Sequence, residues 1–139
     1  MKARWVSVVA VFGVGLAQGP VAAHHSFAAE FDRSLPVTVT GTVTKVEWAN
    51  PHARFYLDAK DDSGATVNWD FELASPNGLM RKGWTRNSMK LGDTVTVTGH
   101  RAKNNQHVGN ASTVTLATGK KLFAGSSGDE TAEGAKPAP

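Results

Sequence analysis

The sequence predicts an all-β domain with one short helix, folded as a small five-stranded barrel. Three observations support this class: long runs of alternating β-branched residues, a chain order of three strands, a helix and two more strands, and a glycine inside the first and longest strand. We expect strands at about residues 36–48, 53–60, 65–73, 93–101 and 111–118.

The first strand carries the bend that would close the barrel. In the run PVTVTGTVTKVEW, residues 36–48, valine alternates with threonine, which is typical of a strand with one buried face. Gly41 interrupts the alternation and indicates a bulge or a sharp bend. A strand bent in this way can pair with two neighbours, which is how an OB-fold barrel closes. The alternative is another small open β-sheet with one covering helix.

The next two strands form a hairpin. The runs ARFYLDAK, residues 53–60, and ATVNWDFEL, residues 65–73, flank the turn sequence DDSG. Trp69 belongs to the apolar positions of the second run, so we expect it in the core. Asp70 and Glu72 share the opposite face, which we interpret as a solvated sheet face rather than a catalytic pair.

A helix and two further strands complete the domain, which spans about residues 36–123. Ser75 directly before Pro76 is a helix start signal. Apolar residues recur beyond it, and Trp84 is expected to anchor this helix to the barrel. The runs KLGDTVTVTGHRA and ASTVTLATGKKL then supply the fourth and fifth strands.

The first 23 residues have the pattern of a secretory signal peptide. Lys2 and Arg4 precede the apolar run WVSVVAVFGVGLA, which is too short to span a bilayer comfortably. The small residues VAA, ending at Ala23, allow cleavage after that residue. We therefore expect an exported protein, periplasmic or secreted, with no stable membrane span after cleavage.

The expected mature chain begins with a lead-in segment at residues 24–35 and ends with a disordered tail at residues 124–139, which is rich in Gly, Ser, Ala, Pro and charge.

Loss of Lys2 and Arg4 lowers the formal net charge from +3 to +1, so the charge does not indicate nucleic acid as a partner. The chain has no cysteine, which excludes disulfides and thiol-bound metals.

Three long motifs resemble a family of small exported bacterial proteins of uncharacterised function. They are HHSFAAEFD, VTGTVTKVEWANPHARFYLD and SPNGLMRKGWTRNSMKLGDTVTVTG, and the likeness runs from His24 to about Ser126. The resemblance implies a secreted β-domain and supplies no activity or substrate. This sequence departs from the family at Arg54, where its members usually have another aromatic residue.

Two histidines at the expected mature start predict a metal site. Cleavage after Ala23 would make His24 the amino terminus, whose amine and imidazole can chelate one ion, and His25 adds a second imidazole. These nitrogen ligands suit tetragonal Cu(II). A cut one residue earlier would place histidine third, which also gives a copper-binding terminus. The alternative is that both histidines are solvated at a frayed terminus and have no function.

His52 is a candidate third ligand for this metal. It follows Asn50 and Pro51 on the loop between the first two strands, one of the loops that bind ligands on OB barrels. The alternative is that His52 only hydrogen-bonds its own turn. His100 and His107 are weaker candidates, and we expect replacement of His100 to change copper binding little.

A second hypothesis places a metal-free site on the same rim. Trp48 is the best candidate for an exposed aromatic residue, and Asn50, Asn77 and Arg86 could add amide and guanidinium donors. Such a site would bind a protein partner or a small ligand.

We identify no catalytic residues in the sequence, because it has no cysteine nucleophile and no nucleophile-elbow motif around a serine. The sequence therefore favours a binding or accessory module over an enzyme. A copper-dependent oxidising enzyme built on the same terminus stays open as a third hypothesis.

Overall fold

The computed structural model describes residues 27–125, which fold into a six-stranded antiparallel sheet that closes on itself. The sheet order is β3-β2-β1-β4-β5-β6, and a parallel pairing of β3 with β5 closes the ring. This is the OB-fold arrangement, so the predicted fold class is confirmed. In chain order the elements are α1 (Phe27–Glu30), β1 (Phe31–Glu47), β2 (Arg54–Lys60), β3 (Thr66–Glu72), α2 (Pro76–Arg81), β4 (Thr94–Ala102), β5 (Val108–Thr115) and β6 (Lys121–Phe123).

The long first strand changes partner along its length, as closure of a small barrel requires. The first half of β1 pairs with β4 and the second half pairs with β2, and Thr42 belongs to both pairings. One strand therefore forms the seam between the two halves of the sheet.

Gly41 allows β1 and β2 to approach closely where the two strands cross. A Cβ atom at this position would collide with the backbone oxygen of Asp58 and with the side chain of Leu57. The irregular register itself falls between Val43 and Lys45, so the bulge lies slightly beyond the glycine that predicted it.

The inward-facing strand residues fill the barrel. Trp69 is 8% exposed and its ring stacks on Phe71 with 5.3 Å between the ring centroids, which confirms the predicted core position. The fully buried side chains of this core include Phe55, Leu57, Phe71, Leu79, Val95, Val97 and Val114.

Helix α2 lies between β3 and β4, as predicted. The Ser75 hydroxyl accepts a hydrogen bond from the Gly78 N–H at 3.2 Å, and Pro76 lies in the first turn. Trp84 is buried beyond the helix and donates its indole N–H to the Phe123 carbonyl at 2.8 Å. This bond ties the segment after α2 to β6.

The boundaries at the start of the domain differ from the prediction. β1 begins at Phe31 rather than at residue 36, so part of the expected lead-in belongs to the barrel. The Phe31 side chain is buried, and this tertiary contact extends the strand beyond the alternating valines.

The boundaries near the end of the domain differ as well. β5 begins at Val108, and Lys121–Phe123 form an additional strand, β6. Ala124, the first residue of the expected tail, is buried, and its N–H donates to the Ser112 carbonyl at 2.8 Å. The ladder bonds therefore continue further than the composition indicates.

The expected signal peptide, residues 1–23, lies outside the described residues, as do His24, His25 and the tail from residue 126 onward. Neither α1 nor α2 is long and apolar enough to cross a membrane, and residues 27–125 contain no other helix.

Candidate functional site

The ring of His52 is held by the end of β3. Its Nδ1 atom lies 3.0 Å from the carbonyl oxygen of Leu73. Because a carbonyl oxygen only accepts, Nδ1 carries the proton, and the neutral ring keeps a free lone pair on Nε2. The side chain is 37% exposed. His52 is therefore oriented in the way that histidine ligands of metals usually are, and its partner lies outside its own turn.

Beside His52, a network of charged side chains covers the outer face of β2 and β3. Arg54 donates two hydrogen bonds to the Asp70 carboxylate, at 3.0 and 2.9 Å, and a third to Glu72 at 3.1 Å. Tyr56 donates to Glu47 at 3.3 Å. We call these five residues, Arg54, Asp70, Glu72, Tyr56 and Glu47, the Arg54 cluster. The face that we expected to be merely solvated is thus organised by ion pairs.

Glu72 is the least exposed carboxylate of the Arg54 cluster, with 15% of its side chain accessible. Burial raises the pKa of Glu72, and the negative charges of Glu30 and Asp70 add to the rise, whereas His52 and Arg54 oppose it. The His52 Nδ1 lies 3.9 Å from a Glu72 carboxylate oxygen.

Helix α1 is fixed to the barrel by contacts with β4 and the residue after it. The Lys103 N–H donates to the Glu30 carbonyl at 2.9 Å, and the Lys103 ammonium donates to the Ala28 carbonyl at 2.6 Å. The Phe27 ring packs edge-on against His100 with 5.7 Å between centroids. The described chain therefore begins at a defined place on the outer surface.

Phe27 lies near the Arg54 cluster. His100 pairs with Asn110 on β5, and Asn110 pairs with Glu72 on β3. Adjacent strands are about 4.8 Å apart, so the backbones of His100 and Glu72 are separated by about 10 Å. The start of α1 and the His52–Glu72 contact thus lie on one side of the barrel.

The structure brings together two of the four residues proposed for a metal-free rim site. Trp48 and Arg86 line one cleft, whose floor is formed by core residues such as Trp84 and Met89. The cavity volume is only about 10 Å³, the room of a single water molecule. Drug-sized ligands need about 300–1,000 Å³. This cleft is therefore not a preformed ligand pocket.

Asn50 and Asn77, the other two candidates, do not line this cleft. Asn50 is exposed on the β1–β2 loop, and Asn77 is exposed in α2. Among residues 27–125 there is no group of three histidine, aspartate or glutamate side chains that could hold a metal ion. Within the described residues, His52 therefore has no two further ligands of these types beside it.

The Arg54 cluster was not predicted as a unit. The alternation of Asp70 and Glu72 with apolar residues placed both carboxylates on one face. The departure from the family at Arg54 supplied a further signal, because an arginine in place of an aromatic residue needs acidic partners when it is half-buried.

Fold and surface together define a small OB-fold-like barrel with a half-buried charged face. The chain belongs to a protein family of unknown function, DUF6152, whose model matches residues 13–111. This agrees with the resemblance to an uncharacterised family. No curated protein matches the chain.

Among solved structures, the chain is similar to Rim1, a mitochondrial single-stranded DNA binding protein of S. cerevisiae. The two chains share 11% identity with a TM-score of 0.45, over 58% of this chain and 91% of Rim1. At this level of identity the likeness does not indicate what the present chain binds.

Proposed function

We propose that the protein is an exported binding or accessory module that holds one Cu(II) ion at its mature amino terminus. Removal of residues 1–23 would expose the amine of His24, which chelates the ion together with its own imidazole. His25 or His52 completes a set of nitrogen ligands. The module acts in the periplasm or outside the cell and has no nucleic-acid partner.

The orientation of His52 is the observation that carries this proposal. The hydrogen bond from Nδ1 to the Leu73 carbonyl fixes the neutral tautomer and keeps the Nε2 lone pair free. The nearby Glu72 carboxylate favours positive charge beside the ring. A cation bound at Nε2 gains from both features.

Chain connectivity supports a shared site between the terminus and His52. Two residues, His25 and Ser26, lie between His24 and Phe27. An extended chain covers at most about 10 Å over these three residue steps. Phe27 contacts His100, and the strand spacing puts Glu72 about 10 Å from His100. The length of chain from Phe27 back to His24 is therefore comparable with the distance between His100 and Glu72, which lies beside His52.

The metal-free alternative is a module that binds a protein partner or a small ligand at the Trp48–His52 rim. The observation in its favour is that Trp48 and Arg86 meet in one cleft. The cavity volume of about 10 Å³ counts against it, because a ligand would first have to displace packed side chains. We therefore prefer the copper proposal.

Two measurements test this function together. Mass spectrometry of the exported protein should give His24 as its first residue. Adding one glycine before His24 should weaken Cu(II) binding in a competitive titration, because the amine moves out of its chelate ring. A first residue other than His24 or Ala23, or an unchanged affinity after the addition, contradicts a site built on the terminal amine.

A further inference from the structure

A wide groove lies at an open side of the barrel and shares no residue with the sites above. Its volume is about 820 Å³, within the range of ligand pockets. The first half of β1, the β2–β3 turn and the end of the β4–β5 loop surround it. Val37, Val39 and Trp69, each at most 9% exposed, contribute apolar surface to it.

The edge of β1 that borders this groove has free backbone groups. The first half of β1 pairs with β4, whereas the pairing with β2 on the other edge begins only at Thr42. The Val43 N–H donates to the Asp93 carbonyl on the β4 side at 2.8 Å. Alternation in an antiparallel ladder then turns the N–H and C=O groups of Thr38 and Thr40 to the opposite edge. In the described part of the chain, no strand pairs with that edge.

Arg101 brings a positive charge to the same groove, and none of the ion pairs found within residues 27–125 involves it. Its Nε atom is buried and has no hydrogen-bond partner among the described residues. Such a buried donor is costly to leave unpaired, and its natural complement is a carboxylate.

The acidic residues of the groove, Asp61 and Asp62, lie in the β2–β3 turn. The Asp61 carboxylate is engaged there by the N–H groups of Ser63 and Ala65, at 2.9 and 3.0 Å. Asp62, beside it, is exposed. These charges repel an incoming carboxylate from the turn, where the Lys60 ammonium already donates to the Thr66 hydroxyl at 2.7 Å. Arg101 is therefore the cation of the groove that is left to accept a carboxylate.

An aromatic pair completes the groove. The His107 ring stands edge-on to Trp69 with 5.4 Å between the centroids. This pair and the valines of β1 give a surface on which an apolar side chain can pack.

We propose that the groove binds an extended acidic peptide segment of a partner protein, which adds as a strand to the free edge of β1. The peptide backbone pairs with Thr38 and Thr40, and one acidic side chain pairs with Arg101. Alternate apolar side chains pack on Val37, Val39 and Trp69. Strand addition of this kind takes its affinity from main-chain hydrogen bonds and its specificity from alternate side chains.

The test uses the mature protein and synthetic peptides that alternate valine with glutamate or valine with glutamine. The glutamate peptide should bind about tenfold more tightly, because its carboxylate forms a charge-assisted hydrogen bond with Arg101, whereas the amide oxygen of glutamine has no charge to pair with the guanidinium. Hydrogen exchange of the Thr38 and Thr40 amides should slow when it binds. The variant Arg101→Gln should lose the preference for glutamate, whereas Lys121→Gln, an exposed cation outside the groove, should keep it.

A third peptide, N-methylated at alternate amides, covers the case in which the Arg101 variant fails to fold. It should not bind to the unaltered protein, because it cannot complete the ladder. Equal binding of all three peptides, or no binding of any, overturns the proposal. The Thr38 and Thr40 amides could also be protected from exchange without peptide, by a protection that increases with protein concentration. That result overturns the proposal, because it means that a second copy of this chain occupies the edge of β1.

Discussion

The guanidinium of Arg54 on β2 holds the carboxylate of Asp70 on β3 through two hydrogen bonds of 3.0 and 2.9 Å. The two residues are diagonal neighbours, because Arg54 pairs with Glu72 and Tyr56 pairs with Asp70 in the strand register. A planar guanidinium spans this diagonal and still reaches Glu72, which a lysine cannot do with the same geometry.

Replacing Arg54 with glutamine should lower the free energy of unfolding by about 1 kcal/mol, because it leaves Asp70 and Glu72 without their shared cation. The variant Arg54→Lys should lose roughly half as much, since it keeps the charge and gives up the paired hydrogen bonds. Urea unfolding measures both values. The exposed Arg81 provides the control, and Arg81→Gln should leave the stability unchanged. Equal stability of the Arg54→Gln variant and the unaltered protein would show that the pair contributes nothing.

Glu72 should make stability depend on pH in a characteristic direction. Burial raises the pKa of this carboxyl above its usual 4.5, so the folded protein binds the proton more tightly than the unfolded chain does. The stabilisation that protonation of Glu72 gives the fold is complete at pH values below the pKa of Glu72 in the unfolded chain. It is lost as the pH rises through the pKa of Glu72 in the folded protein. The variant Glu72→Gln should therefore gain stability relative to the unaltered protein as the pH rises from about 4 to about 7.

Glu47 supplies the matched control for this effect. Its hydrogen bond from Lys45 holds the pKa of Glu47 below its usual value. The stabilisation from ionised Glu47 is then present at pH values above the pKa of Glu47 in the unfolded chain. It is lost as the pH falls through the lower pKa of Glu47 in the folded protein. Glu47→Gln should thus lose stability relative to the unaltered protein as the pH rises over the same range. Parallel trends for the two variants in unfolding curves would contradict the assigned environments.

Gly41 should tolerate no side chain. The variant Gly41→Ala should lower the free energy of unfolding by at least about 2 kcal/mol, because its Cβ meets the backbone oxygen of Asp58, which cannot move aside as the Leu57 side chain can. Gly92→Ala is the comparison, since Gly92 has a φ of 87° and open space around it. Backbone strain alone should cost that variant about 1 kcal/mol. A smaller loss for Gly41→Ala than for Gly92→Ala in chemical unfolding would contradict the close crossing of β1 and β2.

The fold could be predicted from the sequence because its signals are local. Alternating valines, the DDSG turn and the Ser75–Pro76 helix start each act within a few residues. β6 was missed because its three residues show too little periodicity, and its pairing depends on Thr113 and Thr115 of β5. The burial of Ala124 was missed because the composition of this segment is typical of a disordered tail. Composition does not indicate the backbone hydrogen bond from Ala124 to Ser112.

The candidate site could be predicted only in part. The histidines and their chemistry are visible in the sequence. The hydrogen bond from His52 to Leu73, however, joins two residues that are 21 positions apart in the sequence. The contact of Phe27 with His100 likewise depends on how α1 folds back onto β4. The rim hypothesis grouped Asn50 and Asn77 with Trp48 by sequence proximity, whereas the cleft at Trp48 includes neither of them.

Copper binding should respond to His52 and to pH. Replacing His52 with alanine should weaken Cu(II) binding by about tenfold if its Nε2 is a ligand. The affinity should fall as the pH drops through about 6.5, because imidazole ligands must be deprotonated. His107→Gln is the control, since His107 lies beside Trp69 in the groove, and it should leave the affinity unchanged, as should replacement of His100. An affinity unaffected by His52→Ala would leave His25 as the ligand that completes the site.

The most direct test of the copper site is a competitive Cu(II) titration of the cleaved protein against the same protein with an acetylated amino terminus. Acetylation removes the terminal amine as a ligand and leaves every side chain in place. The proposal predicts one ion bound per cleaved molecule, and a large loss of affinity after acetylation. Equal affinities for the two forms would contradict a site built on the amine of His24.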